Sequence, residues 1–363
     1  MKKIGVVTFH RSISYGACLQ AYATVEFLNS SGYDSELIDY TNTFEQRFTK
    51  AIYKENNHWS SYVTTFIKNW LLGKKYYARK AFGHPEKRYP LSAGSYTALS
   101  QMQDVTYDTL VVGSDQVWNK HITGGLDEAF LLQFGNAAQR ISIASSLGSL
   151  DLTQDELTSF QKAFQRFSAI SVREECAKEQ LQPLTDKEIK VLEDPTFLLS
   201  KETWLQNFAS KSKYYNCKEK YILTFFLGAD ASYGERVQQY AKKMNLPVWS
   251  IQSTYVKRFP CDKLLSGATV EDFVALFANA ALILTDSFHG AAISLNLQKD
   301  FVSFRYKANP KRVVYLLDKL GISDRLDMPA DVFRSVDYST VNNILVPMRE
   351  SSKQWVLNAM EDK

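Results

Sequence analysis

The chain has 363 residues, too many for one small core and comfortable for two domains of ordinary size. With 45% hydrophobic and 23% charged residues it has the profile of a soluble globular protein, which excludes a disordered or fibrous chain. A formal net charge of +4 suits anionic small ligands or a passing contact with acidic lipid, and is too weak to argue for nucleic acid.

Cys18, Cys176, Cys217 and Cys261 lie far apart, without CxxC or CxxH spacing, so neither a zinc site nor a disulfide framework is expected. That usage points to a reduced, cytosolic protein. The opening run from Met1 to Phe9 resembles a secretory signal until it stops at His10-Arg11, too short for an apolar signal core. No apolar run approaches membrane-spanning length. The chain is therefore expected to have neither a cleaved signal nor a helical anchor.

In chain order, Ile4 to Phe9 reads as a buried strand, followed by a polar loop ending at Tyr15-Gly16. A helix follows, in which Leu19, Tyr22, Ala23 and Phe27 share one apolar face and which Gly32 closes. Ser35 to Tyr40 is the next strand, so the first forty or so residues make a βαβ unit and the fold is α/β with parallel pairing. Residues from about 41 to 100 break this rhythm. They mix aromatic with basic residues, as in Phe66 to Lys80, and read as a helical insertion. Such a segment either rests on a membrane surface or holds a sugar, or packs its rings inward with lysines reaching out to solvent.

Alternation resumes with the strand Thr109 to Val112, whose exit is Gly113-Ser114-Asp115-Gln116-Val117-Trp118-Asn119. Strands over Arg140 to Gly148 and Ala169 to Glu175 flank an amphipathic helix, Leu152 to Arg166, with acids in its first turn. Pro183, Pro195 and the turn Glu193 to Thr196 mark a domain boundary. The second half repeats the pattern: strands over Lys220 to Gly228, Leu246 to Ile251, Ala281 to Thr285 and Phe301 to Phe304, with helices over Gly234 to Met244 and Glu271 to Ala280. The tail, Ser351 to Met360, is helical and is expected to cross back over the first domain. The reading is two doubly wound, Rossmann-like α/β domains facing one another across a cleft: residues 1–182, residues 183–335, and a helical tail over 336–363.

Within the second domain, Leu282 to Asn296 reads as strand, polar turn and apolar helix. Ligands of open α/β sheets bind at the carboxyl ends of the strands, which places His289 beside a helix N-terminus that favours an anion. A histidine there can move a proton near neutral pH, or simply bond to the turn's backbone. GxGxxG in a dinucleotide setting, Walker A, HExxH and GxSxG are all absent, so dehydrogenase, P-loop kinase, zincin and serine hydrolase readings are weak. Arg173 and Arg305, at strand exits, carry the fork that suits carboxylate and phosphate, although Arg173, flanked by Glu174 and Glu175, is equally read as an ion-pair partner. The residues point to an anionic donor and proton transfer without a metal.

At this point the residues carry a resemblance. Ser14-Tyr15-Gly16-Ala17-Cys18-Leu19-Gln20-Ala21-Tyr22-Ala23, Gly113-Ser114-Asp115-Gln116-Val117-Trp118, Ser171-Val172-Arg173-Glu174, Asp194-Pro195-Thr196 and Thr285-Asp286-Ser287-Phe288-His289-Gly290 resemble, in order, segments of the polysaccharide pyruvyl transferase family. The resemblance implies a glycosyltransferase-like (GT-B-like) fold and transfer of pyruvyl carbons from phosphoenolpyruvate, a co-substrate, onto a sugar as a cyclic ketal, with no further cofactor. It implies catalytic roles for His289 and Arg173, and donor contacts from Ser287, Phe288, Gly290, Arg305 and Arg312. Tyr15, Gly16, Gln20, Ser114, Asp115, Trp118 and Asp286 then belong to the acceptor or cleft side, with Asp286 orienting the turn or His289. Many members have arginine where this chain has Ser287; Arg305, Lys307 or Arg312 would replace that cation, or Ser287 would donate a hydrogen bond.

The expected partners are phosphoenolpyruvate and an oligosaccharide or lipid-linked glycan of the cell surface, in the cytoplasm. For a lipid-linked acceptor, the Phe66 to Lys80 segment would dock at the inner membrane face. Two rivals share the architecture: a nucleotide-sugar glycosyltransferase, whose acidic ribose contact is not identifiable in the sequence, and a non-catalytic glycan-binding protein.

Overall fold

The computed structural model describes residues 1–46, 80–228, 230, 232–252, 257–305 and 311–361. Most of the aromatic and basic segment, including 66–79, lies outside the described residues. Two compact units emerge.

In the first, β1 (Lys3–Val7), β2 (Asp34–Tyr40), β3 (Leu91–Tyr96), β4 (Thr109–Val112), β5 (Gln139–Ser145), β6 (Ala169–Val172) and β7 (Ile189–Val191) form one sheet in the order 3-2-1-4-5-6-7. Every pairing is parallel. The strands at its centre are buried along their length, as expected of a sheet covered on both faces. The crossover helices include α1 (Tyr15–Ser30), which Ser14 caps by accepting from the Ala17 amide at 3.4 Å. After α2 (Lys120–Thr123) comes α3 (Gln154–Gln165), whose Thr153 and Glu156 form a capping box. The last of them is α4 (Glu175–Leu181).

The second unit starts with α5 (Lys201–Asn207). Its sheet contains β8 (Ile222–Phe225), β9 (Val248–Gln252), β10 (Lys263–Ser266), β11 (Leu282–Thr285) and β12 (Phe301–Ser303), in the order 10-9-8-11-12 and again all parallel. Helices α6 (Ser232–Met244), α7 (Val270–Asn279), α8 (Phe288–Asn296) and α9 (Lys311–Lys319) connect and follow the strands. The final helix, α10 (Tyr338–Glu361), contains Pro347, and from Met348 onward it belongs with the first unit. There the Met360 carbonyl accepts from Lys2 Nζ at 2.6 Å, and Ser352 Oγ accepts from the Glu193 amide at 3.2 Å.

Two differences from the sequence reading concern organisation. The units divide after Leu198, not at 182, because β7 and the turn at Asp194 still complete the first sheet. Part of the stretch read as a helical insertion is the edge strand β3, which pairs with β2 through a register shift. No helix among the described residues is long and apolar enough to cross a membrane.

Candidate active site

Both sheets reverse their order beside their first strand. The chain leaves β1 for β2 and β3, then returns to β1's other flank as β4; in the second unit it leaves β8 for β9 and β10 and returns as β11. These are topological switch points, where the exits of neighbouring strands diverge and open a crevice. The Gly113 to Asn119 loop follows β4 at the first, and Asp286 to Gly290 follows β11 at the second.

At the second switch point, Thr285 Oγ1 donates to the Phe225 carbonyl at 2.7 Å and accepts from the Ser287 amide at 3.1 Å. Asp286 turns to the neighbouring strand exit: its Oδ1 accepts from the Leu227 amide at 2.6 Å and its Oδ2 from the Gly228 amide at 2.8 Å. It therefore clamps the β8 exit to the β11 exit and fixes the width of the crevice. Burial pushes its carboxyl above the usual range, against the lowering effect of those two amides. Tyr233 of α6 adds a 3.4 Å contact to Asp286 and donates to the Arg305 carbonyl at 3.2 Å.

Ser287 starts α8 as its N-cap, accepting from the Gly290 amide at 3.3 Å. Ser287→Ala is expected to destabilise the second unit by about 1 kcal/mol, read in urea unfolding, whereas glycine at that position costs only a few tenths. The first turn needs Gly290 for space: a Cβ there would collide with Thr285 Oγ1 and lie 3.0 Å from two further Thr285 side-chain carbons. Gly290→Ala is expected to cost about 1–3 kcal/mol by overpacking this helix–strand contact. Rescue by Thr285→Ala in the double variant would verify the cause, and additive losses would refute it.

His289 is thus held in the first turn of α8, buried, its ring edge-on to Phe288 at 5.3 Å between centroids. Arg312 of α9 lies 5.8 Å from the Phe288 ring centroid. Arg305, just beyond β12, is exposed and shares Asp327 with Arg236: Arg236 Nη1 donates at 2.9 Å, and Arg305 Nε at 3.4 Å. Two guanidiniums on one carboxylate leave this cluster net positive. Arg236 also lies over the Phe304 ring, its guanidinium carbon 3.7 Å from the centroid, and carries no signal in the sequence because its partners are strands away. Lys307 lies outside the described residues.

At the first unit's switch point, Gly113 (φ +107) passes so close to β5 that a Cβ would meet the Ile143 carbonyl. The buried Gln20 of α1 braces this exit. It donates to Thr8 Oγ1 at 2.9 Å and accepts from the Ser114 amide at 3.0 Å, while Thr8 Oγ1 donates to the Ser114 carbonyl at 3.0 Å. Tyr15 and Gly16 are buried in the first turn of α1. Trp118 points into the core: its indole donates to the Phe130 carbonyl at 2.8 Å and its ring meets Phe160 at 5.3 Å. It anchors the loop from below and offers no face to a ligand.

Arg173 lies at the β6 exit, buried, with three carboxylates around it. Nη1 donates to Asp194 at 2.8 Å, Nε to Glu174 at 3.4 Å, and Asp115 is 3.7 Å from Nη2. Burial works against the charge, but Glu174, Asp194 and Asp115 outweigh it and hold Arg173 firmly protonated. Since Ser146 Oγ also donates to Glu174 at 2.7 Å, the exits of β4, β5, β6 and β7 are tied into one platform. Asp194, which also accepts from the Thr196 amide at 3.0 Å and the Thr196 hydroxyl at 2.8 Å, is the member to which the sequence reading gave no role. A second buried network stands at the β1 exit, where Asp39 accepts from His10 Nε2 at 2.9 Å and from Arg11 at 2.5 and 2.7 Å. Burial opposes ionisation of Asp39, yet Arg11 and His10 hold it well below the usual carboxylate range. No cluster of three or more metal-ligating side chains occurs among the described residues.

The family model for polysaccharide pyruvyl transferases matches residues 15–308, which spans both switch-point loops. The chain belongs to the polysaccharide pyruvyl transferase family. Arg312 alone of the expected donor residues falls outside the matched span. No curated protein sequence matches the chain. Among solved structures, the UDP-GlcNAc 2-epimerase of Methanocaldococcus jannaschii is similar at 14% identity and a TM-score of 0.51, over 100% of both chains. The Neisseria meningitidis UDP-GlcNAc 2-epimerase, bound to UDP-GlcNAc, is similar at 12% identity and a TM-score of 0.50, over 99% of both chains. These likenesses show the fold alone: two Rossmann-like α/β units of the GT-B-like class expected from the sequence. The family member is thus a transferase that acts on a glycan.

Proposed function

We propose that this pyruvyl transferase takes phosphoenolpyruvate as donor and builds a pyruvate ketal across two hydroxyls of a sugar in a cell-surface glycan precursor. The observation that carries the reading is the second unit's switch point. There His289 is fixed in the first turn of α8, with Arg305, Arg236 and Arg312 in the same unit. Phosphoenolpyruvate carries a carboxylate and a phosphate, which arginine forks and a helix N-terminus suit.

The chemistry is a transfer at C2 of the donor. A proton goes to C3, turning the methylene into a methyl, while one sugar hydroxyl adds to C2 and gives up its proton. The C2–O bond to phosphate breaks, inorganic phosphate leaves, and the second hydroxyl closes the ring with loss of its own proton. His289 is assigned the proton traffic. Arg305 and Arg312 are assigned the donor's anionic groups, taking the place of the arginine that many members have at position 287. Arg173, balanced by three carboxylates, is assigned to holding the first unit's platform in shape.

The test is incubation of the full chain with phosphoenolpyruvate and a panel of lipid-linked or nitrophenyl glycosides, following phosphate release and product mass. A mass gain of about 70 Da, pyruvate less water, on one glycoside is the expected result for this group transfer. Phosphate release without that product, or transfer from a nucleotide sugar instead, overturns the donor assignment.

A further inference from the structure

We propose that a cavity in the first unit, walled by Asn42, Thr43, Phe44, Gly124, Gly125 and Asp127, is the subsite for a neutral hexose of the acceptor. The assignment rests on the transferase reading above for its place in the reaction, and on the cavity's own chemistry for the ligand class. The cavity measures about 320 Å³, within the range of small-ligand sites. It lies on the carboxyl side of the sheet, where β2 runs out through Tyr40 into Asn42 and where α2 follows the Gly113 to Asn119 loop.

Its polar groups are fixed before any ligand arrives. Asp127 Oδ2 accepts from Tyr40 Oη at 2.9 Å and from Asn42 Nδ2 at 2.8 Å, and Oδ1 accepts from the Ala129 amide at 2.9 Å. With two lone pairs per oxygen, Oδ1 can accept one more hydrogen bond. A sugar hydroxyl donates to a carboxylate held in this way without a reorganisation cost. Asn42 is itself immobilised, its Nδ2 donating to the Thr123 carbonyl at 3.1 Å and its Oδ1 accepting from the Glu45 amide at 2.8 Å.

The other walls suit the carbon face of a pyranose. The half-buried ring of Phe44 lies against Gly124, where a Cβ would strike it, and Gly125 beyond has open space where a side chain would stand. Both glycines take positive φ, +76 and +129, so the loop presents backbone instead of side chains to the cavity. An apolar ring beside a fixed carboxylate and amide matches a molecule with C–H on one face and hydroxyls at its edge.

The lining also discriminates. Among the described residues that line the cavity there is no cation, while Asp127 is there, so a phosphate, a nucleotide or a uronate meets a negative wall.

The experiment is saturation-transfer NMR on the full chain with methyl glucopyranoside, galactopyranoside and mannopyranoside, and with methyl glucuronide and UMP as anionic comparators. At least one neutral hexoside is expected to bind, and neither anion. Thr43→Trp, which adds bulk at an exposed wall without removing a core contact, and Phe44→Ala are each expected to weaken that binding about tenfold, the loss of one good contact. Binding of none of the hexosides, preference for UMP or glucuronide, or equal binding in both variants overturns the assignment. Turnover separates this from the reading beneath it. If the wild type makes ketal and Thr43→Trp leaves the acceptor KM unchanged, the subsite is wrong and the transferase stands. If hexoside binding follows the variants but phosphoenolpyruvate is never consumed, the subsite stands and the donor reading falls.

Discussion

Arg173→Met is expected to destabilise the first unit by about 3–5 kcal/mol, the cost of leaving buried carboxylates without their counter-charge. The arginine is enclosed with Asp194, Glu174 and Asp115 around it, and the methionine side chain fills similar volume without the charge. Removing it leaves three acids whose mutual repulsion is relieved only by protonation or by opening the β4 to β7 exits. Hydrogen exchange should therefore quicken at β5 and β6 while the amides of β8 to β12 keep their protection. Arg173→Lys keeps one positive charge but loses the fork, so it should fall between wild type and methionine. A methionine variant with unchanged unfolding would remove Arg173 from the structural platform and return it to the role of a ligand anchor.

This network also shows where sequence reading stops. Glu174 and Glu175 beside Arg173 invited the idea of an ion pair, and an ion pair it is; only Glu174 takes part, and the closest partner is Asp194, reached through β7 and its exit. Pairing over that separation has no local signature, so in the sequence Arg173 stands open between an ion-pair partner and a catalytic residue, and Asp194 has no role. Asp286 is a similar case. Its motif was legible, but its partners are the amides of Leu227 and Gly228 at the exit of the strand beside it, not the histidine three residues on.

The α/β rhythm itself was legible because central strands such as Thr109–Val112 and Leu282–Thr285 are short apolar runs ending in turn residues. Of the four edge strands only β12, Phe301–Ser303, shows in the same way. β7 has three residues, while β3 and β10 carry serines, glycine or lysine among few apolar side chains, and only pairing with a neighbour makes them strands. Missing β7 is also what put the domain boundary too early. The resemblance puts Trp118 on the acceptor or cleft side, whereas its indole holds the loop onto Phe160 and Phe164 in the core.

His289→Gln is expected to lower turnover by about 10²–10⁴-fold, the span of general acid–base catalysis, with little change in stability. Glutamine roughly matches the length of the imidazole and can hydrogen-bond, but it cannot exchange a proton near neutral pH. The surroundings make the test clean. Ser287 caps α8, Gly290 sets its distance from β11, and Asp286 fixes the β8 exit, so the turn keeps its shape without the ring. Acceptor binding, measured with the hexoside that the wild type binds, should be unchanged, since the groups assigned to it belong to the first unit. The loss should appear in kcat and in kcat/KM alike, the pattern of an interaction made only in the transition state. A rise in KM for phosphoenolpyruvate at full kcat would instead make His289 a donor contact. The proton traffic would then pass to Tyr233, whose hydroxyl lies 3.4 Å from Asp286 and whose own proton burial holds on more tightly than usual.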